Sequence, residues 1–531
     1  MNKAVLIGTD GRTFAVNAIR FAVAILATGL PLLFVVRPVC AGEESAKSGK
    51  QTDIERGREL SARYCSVCHV QPKPDEHNSA TWRKNVFPLM HRNARMSELD
   101  PSRSEEEREA LFQWRLVWEY YFQTAPVEAI PQGPRAPIRR DLKLFTIEDP
   151  QYRRQICYAT MVKIDPETQQ IYVGNALTRS LDVLNKNGKG MASTKVDSTL
   201  TDLIQLPDGS WLGTQIGMVV PDDRPLGKIT LFTRRGVQFV QVRDIITGLV
   251  RPIECAVGDL TGNGAPDIVV CSYGNLTGVS GKLAWYEITG SSGYEEHVLL
   301  DKPGPTRCGL VDYNKDGRLD IIALVAQAKE GVYIYRNEGN GDFTELRPIK
   351  HSPTWGNVGM QLTDFNRDGH LDILTANGDM GDFDCPPKRY HGIRIYLNDG
   401  KWNFTEAFFY PLNGAYDVKA ADFDQDGDLD IAAISFFPDY DRSPEESFVY
   451  LENRGNMVFD AHTFTDCERG RWLTMGIGDL DGDGDIDIVL GAAYMTPFRT
   501  TAELQERWKK EGPSLLILRN NLRAAAQDQT R

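Results

Sequence analysis

Five short acidic segments recur at a nearly constant interval in the second half of this chain, and a repeat of that period constrains the fold more than any local propensity. They read DLTGNGAPDI from Asp259, DYNKDGRLDI from Asp312, DFNRDGHLDI from Asp364, DFDQDGDLDI from Asp422 and DLDGDGDIDI from Asp479. Their starts lie 53, 52, 58 and 57 residues apart. Every copy has Asp at positions one and nine, Gly at six, Ile at ten, and an apolar or aromatic residue at two. Position three is Thr261, Asn314, Asn366, Asp424 or Asp481, and position five is Asn263, Asp316, Asp368, Asp426 or Asp483.

Oxygen donors at alternate positions around a glycine turn wrap a chain about Ca²⁺. The backbone carbonyl of the seventh residue (Ala265, Arg318, His370, Asp428 or Asp485) is expected to join them. The ninth residue, Asp267, Asp320, Asp372, Asp430 or Asp487, closes each site. Position twelve holds no Glu in any copy, and apolar runs such as DIVV follow, so each loop joins two strands and is not an EF-hand. The five loops contain 18 Asp against three basic residues, Lys315, Arg318 and Arg367. Carboxylates so crowded repel one another without cations, so up to five Ca²⁺ are expected, the first loop holding its ion least well.

Each loop is followed by a strand-like run: KLAWYEI at 282–288, GVYIYRN at 331–337, IRIYLN at 393–398, FVYLEN at 448–453 and LLILRN at 515–520. A period of this length, built of short strands, predicts the blades of a propeller. Upstream, 160–175 and 202–215 keep the strand–turn–strand rhythm without the acidic ligands, enough for two further blades. The predicted fold is mainly β: a seven-bladed β-propeller over 141–522, with degenerate blades in 141–250 and five calcium-loop blades in 251–522. The repeated loops are similar to the FG-GAP/VCBS repeat family, also seen in the propeller of integrin α-subunits. That resemblance implies the fold and calcium, and leaves activity open among adhesion, carbohydrate and partner binding.

Ahead of the repeats stands Cys65-Ser66-Val67-Cys68-His69, a CxxCH motif. Two thiols at this spacing add to the two vinyl groups of a haem, and the adjacent His69 then meets the iron as proximal ligand. A helix is expected over Asp53–Tyr64, and a second after Asp100, with acidic residues first and Pro126 ending it. Met90, after Pro88, is the preferred sixth ligand, with Met96 and His91 as rivals. This all-α segment, 53–127, resembles a small class I cytochrome c, which implies one covalent haem c held by Cys65, Cys68, His69 and Met90. Trp82, Trp114, Trp118, Tyr120 and Tyr121 are expected to pack around it rather than relay electrons.

The N-terminus carries an apolar run, Phe21 to Val36, with Arg12 and Arg20 before it and small residues at Cys40 and Ala41. A signal peptide over 1–41 is the expected reading, with lipidation at Cys40 or an uncleaved anchor as rivals. The protein is therefore expected in the periplasm or outside the cell, with no membrane span after cleavage. Lys and Arg number 60 against 73 Asp and Glu, a net charge of -13 that argues against nucleic acid. Cys255 and Cys308 each precede a loop by four residues, so they occupy matching places in neighbouring blades, where a disulfide is open.

Long insertions at NGDMGDFDCPPKRYHG, SFFPDYDRSPEES and GAAYMTPFRTTAELQERWKKEGPS are expected on one propeller face, as surfaces for a partner or for the haem segment. Their candidates are Lys388, Arg389, Tyr390, His391, Phe437, Tyr440, Arg442, Tyr494 and Arg499. Arg251, Arg307 and Arg471 are candidates to ring one mouth of the channel, facing an anion or pairing with nearby Asp. A Pro-rich linker, 128–140, joins the two parts, and 523–531 is a tail. The function expected is one-electron transfer through the haem, with a redox partner protein or small-molecule donor, the propeller serving for docking. One alternative is an oxidoreductase that binds substrate on the propeller; another is an adhesion or glycan-binding propeller with an ancillary haem sensor. Electron transfer is favoured over substrate conversion because no nucleophile, base pair or second cofactor motif accompanies the CxxCH.

Overall fold

A computed structural model describes residues 48–522, apart from 95, 97–98, 103, 153–157, 221, 275–279, 290–292, 382–383 and 495–499. The expected leader with Cys40, the tail and Arg499 lie outside the described residues, and Cys68 is described in its backbone alone.

Twenty-eight strands form seven four-stranded antiparallel sheets, the blades of a propeller. Blades 1 and 2 start with the strands Ala159–Asp165 and Leu200–Gln205, the two units expected without acidic ligands. Blades 3 to 7 start with Pro252–Gly258, Pro305–Val311, Asn357–Thr363, Ala415–Ala421 and Trp472–Gly478, each running into an acidic loop. Each second strand opens on the ninth residue of its loop: Asp267–Ser272, Asp320–Val325, Asp372–Asn377, Asp430–Ser435 and Asp487–Ala492, every residue buried. Neighbouring blades cover both faces of these strands, which is why they read as continuous apolar runs rather than alternating ones.

Blade 7 closes the ring in a way the repeats do not announce. Its fourth strand is Phe145–Glu148, which pairs antiparallel with Leu515–Asn520, Phe145 opposite Asn520 and Glu148 opposite Ile517. The degenerate stretch 141–250 thus contributes two whole blades and one strand of the last. Tying the ends of the propeller together in one sheet removes the open edge that an unjoined ring would leave.

Side chains also stitch several innermost strands to the next. Lys163 donates to the Leu203 carbonyl at 2.7 Å, the Cys255 N–H to Asp202 at 3.3 Å, and the Cys308 N–H to Glu254 at 3.0 Å. Gln361 both donates to and accepts from the backbone of Ala420. Cys255 and Cys308 are thiols, not a disulfide.

The N-terminal segment is helical. Ser48–Cys68 runs through the CxxC and is longer at both ends than expected. Glu105–Thr124 begins on an Ser104 cap that accepts the Glu107 N–H, with Glu105, Glu106 and Glu107 in its first turn. The two helices meet at Gly57, where a Cβ would lie 2.3 Å from the Leu116 carbonyl oxygen, so only glycine allows the crossing. Between them, Ser79–Thr81, a π turn over Trp82–Val86 and Phe87–Asn93 make a third helical stretch. Helices and propeller belong to one compact unit, Lys50–Arg531. Among the described residues, no helix is long and apolar enough to cross a membrane.

Candidate functional site

The helical segment builds one core from Leu60, Trp82, Val86, Phe87, Trp114, Leu116, Val117 and Tyr121. Met90 and Met96 are half-buried and pack against it, and His91 meets Trp118 edge-on at 5.8 Å. Cys65 is buried, and the His69 N–H donates to the Cys65 carbonyl at 2.9 Å, so the last helical turn sets residues four apart on one face. His69 Nδ1 lies 2.8 Å from the Val70 carbonyl, which makes Nδ1 the donor and leaves Nε2 bare. Burial lowers the His69 imidazole below its ordinary pKa, favouring the neutral, ligand-competent ring. Three buried nitrogens here have no hydrogen-bond partner: His91 Nδ1, Trp114 Nε1 and Trp118 Nε1. By donor chemistry Cys65, Cys68 and His69 would hold a haem c, and Met90, His91 and Met96 all stay open as its sixth ligand.

The acidic loops share one geometry. Positions four and six adopt left-handed backbone in all five copies: Gly262, Lys315, Arg367, Gln425 and Gly482 at four, glycine throughout at six. Sequence reading assigned the turn to position six alone, because Lys315, Arg367 and Gln425 carry no glycine signal. One oxygen from each of Asp422, Asp424 and Asp426, and one from each of Asp479, Asp481 and Asp483, lie within 4.8 Å of one another. Asp422 Oδ1, Asp481 Oδ1 and Thr261 Oγ1 are buried without a partner. In the second loop, by contrast, Asp316 pairs with Arg318 and accepts from Asn314, and Asp312 takes the N–H groups of Asp316 and Gly317. The donor sets of blades 6 and 7 fit a hard cation best.

The ninth aspartate has a further task. Asp267, Asp320, Asp372, Asp430 and Asp487 are fully buried, and each accepts the N–H of the second loop residue. In blades 4 to 7 the other oxygen accepts from Asn337, Asn398, Asn453 or Asn520 at 2.8–2.9 Å. Those asparagines donate in turn to the carbonyl of the eighth loop residue. The sequence showed the asparagines only as strand endings; their spacing from the loops was the signal of a lock. Blade 3 has Ile288 in that place, and Asp267 Oδ1 is left without a partner.

The long insertions gather on the face opposite the acidic loops, because successive antiparallel strands alternate direction. There the helical segment docks. Glu76 accepts from Ser352 Oγ at 2.6 Å and Thr354 Oγ1 at 2.7 Å, Arg389 pairs with Asp75, and Tyr390 donates to the Glu76 carbonyl. Asn85 donates to the Asp384 carbonyl. Of the insertion candidates Arg389 and Tyr390 thus meet the helical segment, whereas Phe437 is buried, Tyr440 and Tyr494 pack on Trp508, and Arg442 is exposed. The linker is extended but not free: Gln132 donates to the His391 carbonyl, and Arg135 pairs with buried Glu446. Arg251 and Arg471 act electrostatically on Tyr158, and Arg251 and Arg307 on Tyr416; Arg471 is fully buried. Arg307 pairs with Glu254 at 3.4 Å, Arg251 donates to the carbonyls of Met218, Val219 and Gly274, and Arg471 lies 4.1 Å over Phe436.

Beside the docking contact, buried His351 bonds Asn357 and Tyr396 and stacks on Trp355 at 4.1 Å. Burial, helped by Arg394, pushes its pKa down to about 3. The unfolded chain takes up this proton near pH 6.5 and the folded one does not, so stability is lost as pH falls from 6.5 towards 3. From pH 7 to 4.5 thermal denaturation should register a loss of roughly 3 kcal/mol from this residue, and His351→Gln should flatten that slope.

The FG-GAP-like repeat family matches residues 259–323, 312–375 and 387–433. These segments are FG-GAP-like repeats. Cartilage acidic protein 1 of Mus musculus is 24% identical over 285 residues, and that of Xenopus tropicalis 24% over 294. Each alignment covers 50% of this chain and 42% of the relative, so the chain spans less than half the length of these curated relatives. The WD40 domain of Neurospora crassa Pan2 is 11% identical at a TM-score of 0.42, over 72% of this chain and 97% of that one. The blade count rests on the strand pairing itself.

Proposed function

We propose that this protein is an exported monohaem electron carrier, with an FG-GAP propeller holding its haem-bearing helices on one face and calcium in the loops of the other. The observation that carries the reading is His69: an imidazole with Nδ1 on the Val70 carbonyl, one turn from buried Cys65 in a CxxCH. When bound, haem supplies a one-electron couple and nothing else is asked of it. The chain's own residues do the rest. Cys65 and Cys68 would tether the group, the Val70 carbonyl orients His69, and the Phe87, Trp114 and Trp118 rings pack together in the apolar core of the segment. Glu76 and Asp75 hold the helices against blade 5 so that the exposed edge keeps a constant presentation to a redox partner.

A second reading is an oxidoreductase that binds its substrate on the propeller and passes the electrons to the haem, with Arg251, Arg307 and Arg471 as its only handle. Absorption spectra of oxidised and reduced protein, with and without carbon monoxide, decide between them. A reduced c-type band unchanged by carbon monoxide supports the carrier; carbon monoxide binding shows an open iron position and favours the enzyme.

A further inference from the structure

Blade 3 holds a second set of ligand-type side chains, on its two outer strands Lys282–Thr289 and Gly293–Leu300. Trp285 pairs with His297 across these strands and Glu287 with Glu295, so all four side chains share one face. His297 lies flat on Trp285, 4.0 Å away at 11°, which fixes the ring. Its Nε2 is buried without a hydrogen-bond partner and stands 3.7 Å from Glu287 Oε2. One atom from each of Glu287, Glu295 and His297 lies within 4.8 Å of the others. Two carboxylates directly opposite one another repel. Among the described residues no Lys or Arg pairs with either of them, although Glu296, on the other face, has Lys282 at 2.5 Å.

The same chain contains the neutralised version. In blade 6, Tyr450 pairs with His462 and Glu452 with Asp460, the same residue classes in the same register. There Arg454 bridges Glu452 at 2.5 Å and Asp460 at 3.1 Å, Arg139 reaches Asp460 at 3.3 Å, and His462 Nδ1 meets Asp141 at 2.7 Å. Blade 3 has Thr289 where blade 6 has Arg454.

We propose that Glu287, Glu295 and His297 bind a divalent cation of the Zn²⁺ class, which does in blade 3 what the Arg454 guanidinium does in blade 6. One imidazole nitrogen with two carboxylates suits Zn²⁺ rather than Ca²⁺, which takes an all-oxygen shell. Zinc bonds of about 2.1 Å set ligand atoms about 3.4 Å apart, so Glu287 and His297 are nearly in place and the Glu295 side chain swings inward. Three protein ligands at a blade edge leave a position for water or for a donor from outside.

The test titrates Zn²⁺ by calorimetry into the full chain with its calcium loops saturated. Wild type should take one equivalent more than His297→Ala or Glu295→Gln, or bind it at least tenfold more tightly. Thr289→Arg keeps all three ligands but imports the arginine of blade 6; it should lose that equivalent and melt higher than wild type in metal-free buffer. Equal zinc uptake in wild type and all three variants, or none in wild type, overturns the proposal.

Discussion

Replacing both Cys65 and Cys68 with alanine should leave a chain with no covalently attached haem, while the propeller still folds. Expressed with the haem-attachment machinery, wild type should keep its c-type absorption after denaturation in acid and organic solvent, and the double variant should lose all of it. The effect is all-or-none because thioether bonds, not packing, retain haem in an unfolded chain. The helices bury only a small aromatic core of their own, whereas the propeller's strands are tied through seven sheets. Melting of the variant should accordingly retain the wild-type propeller transition. A wild type without such absorption removes the haem, and with it both readings of the function.

Removing calcium should have the next largest effect, lowering the melting temperature by roughly 5–15 °C. Each site saturated about a hundredfold above its dissociation constant contributes about 2.7 kcal/mol, and blades 6 and 7 present two such sites. For a domain of this size each kcal/mol moves the midpoint by about 1–3 °C. Scanning fluorimetry with excess EGTA and then with Ca²⁺ restored measures the difference. Asp424→Asn and Asp481→Asn should each reproduce part of it, and Thr261→Ala almost none, because the first loop has two charged ligands where the last has four. An unchanged midpoint in EGTA would show the loops to be aspartate turns held by their own N–H groups alone.

Most of the fold was legible because its signals are local and repeated. Five copies of a ten-residue loop with its following strand define five blades, and the two strand–turn–strand units before them define two more. The CxxCH motif is equally local, and so are the acidic first turn and serine cap of the helix from Glu105.

What stayed hidden depends on partners far apart in the chain. Phe145–Glu148 is an unremarkable apolar tetrapeptide until Leu515–Asn520 offers it an edge. Glu76 has no marked neighbour in sequence, yet Ser352 and Thr354 hold its carboxylate and so set the helices on blade 5. Arg251, Arg307 and Arg471 were visible as candidates, but whether they met carboxylates, carbonyls or rings was decided by loops from other blades. Sequence alone determined the repeat and its candidate donor residues and pointed to seven blades, because hydrogen-bond spacing and side-chain chemistry act over a few residues; strand pairing fixed the count. Tertiary structure decided the ring closure, the docking of the helices and the pairing of every buried charge, because a charge's energy depends on what the fold brings within a few ångströms of it.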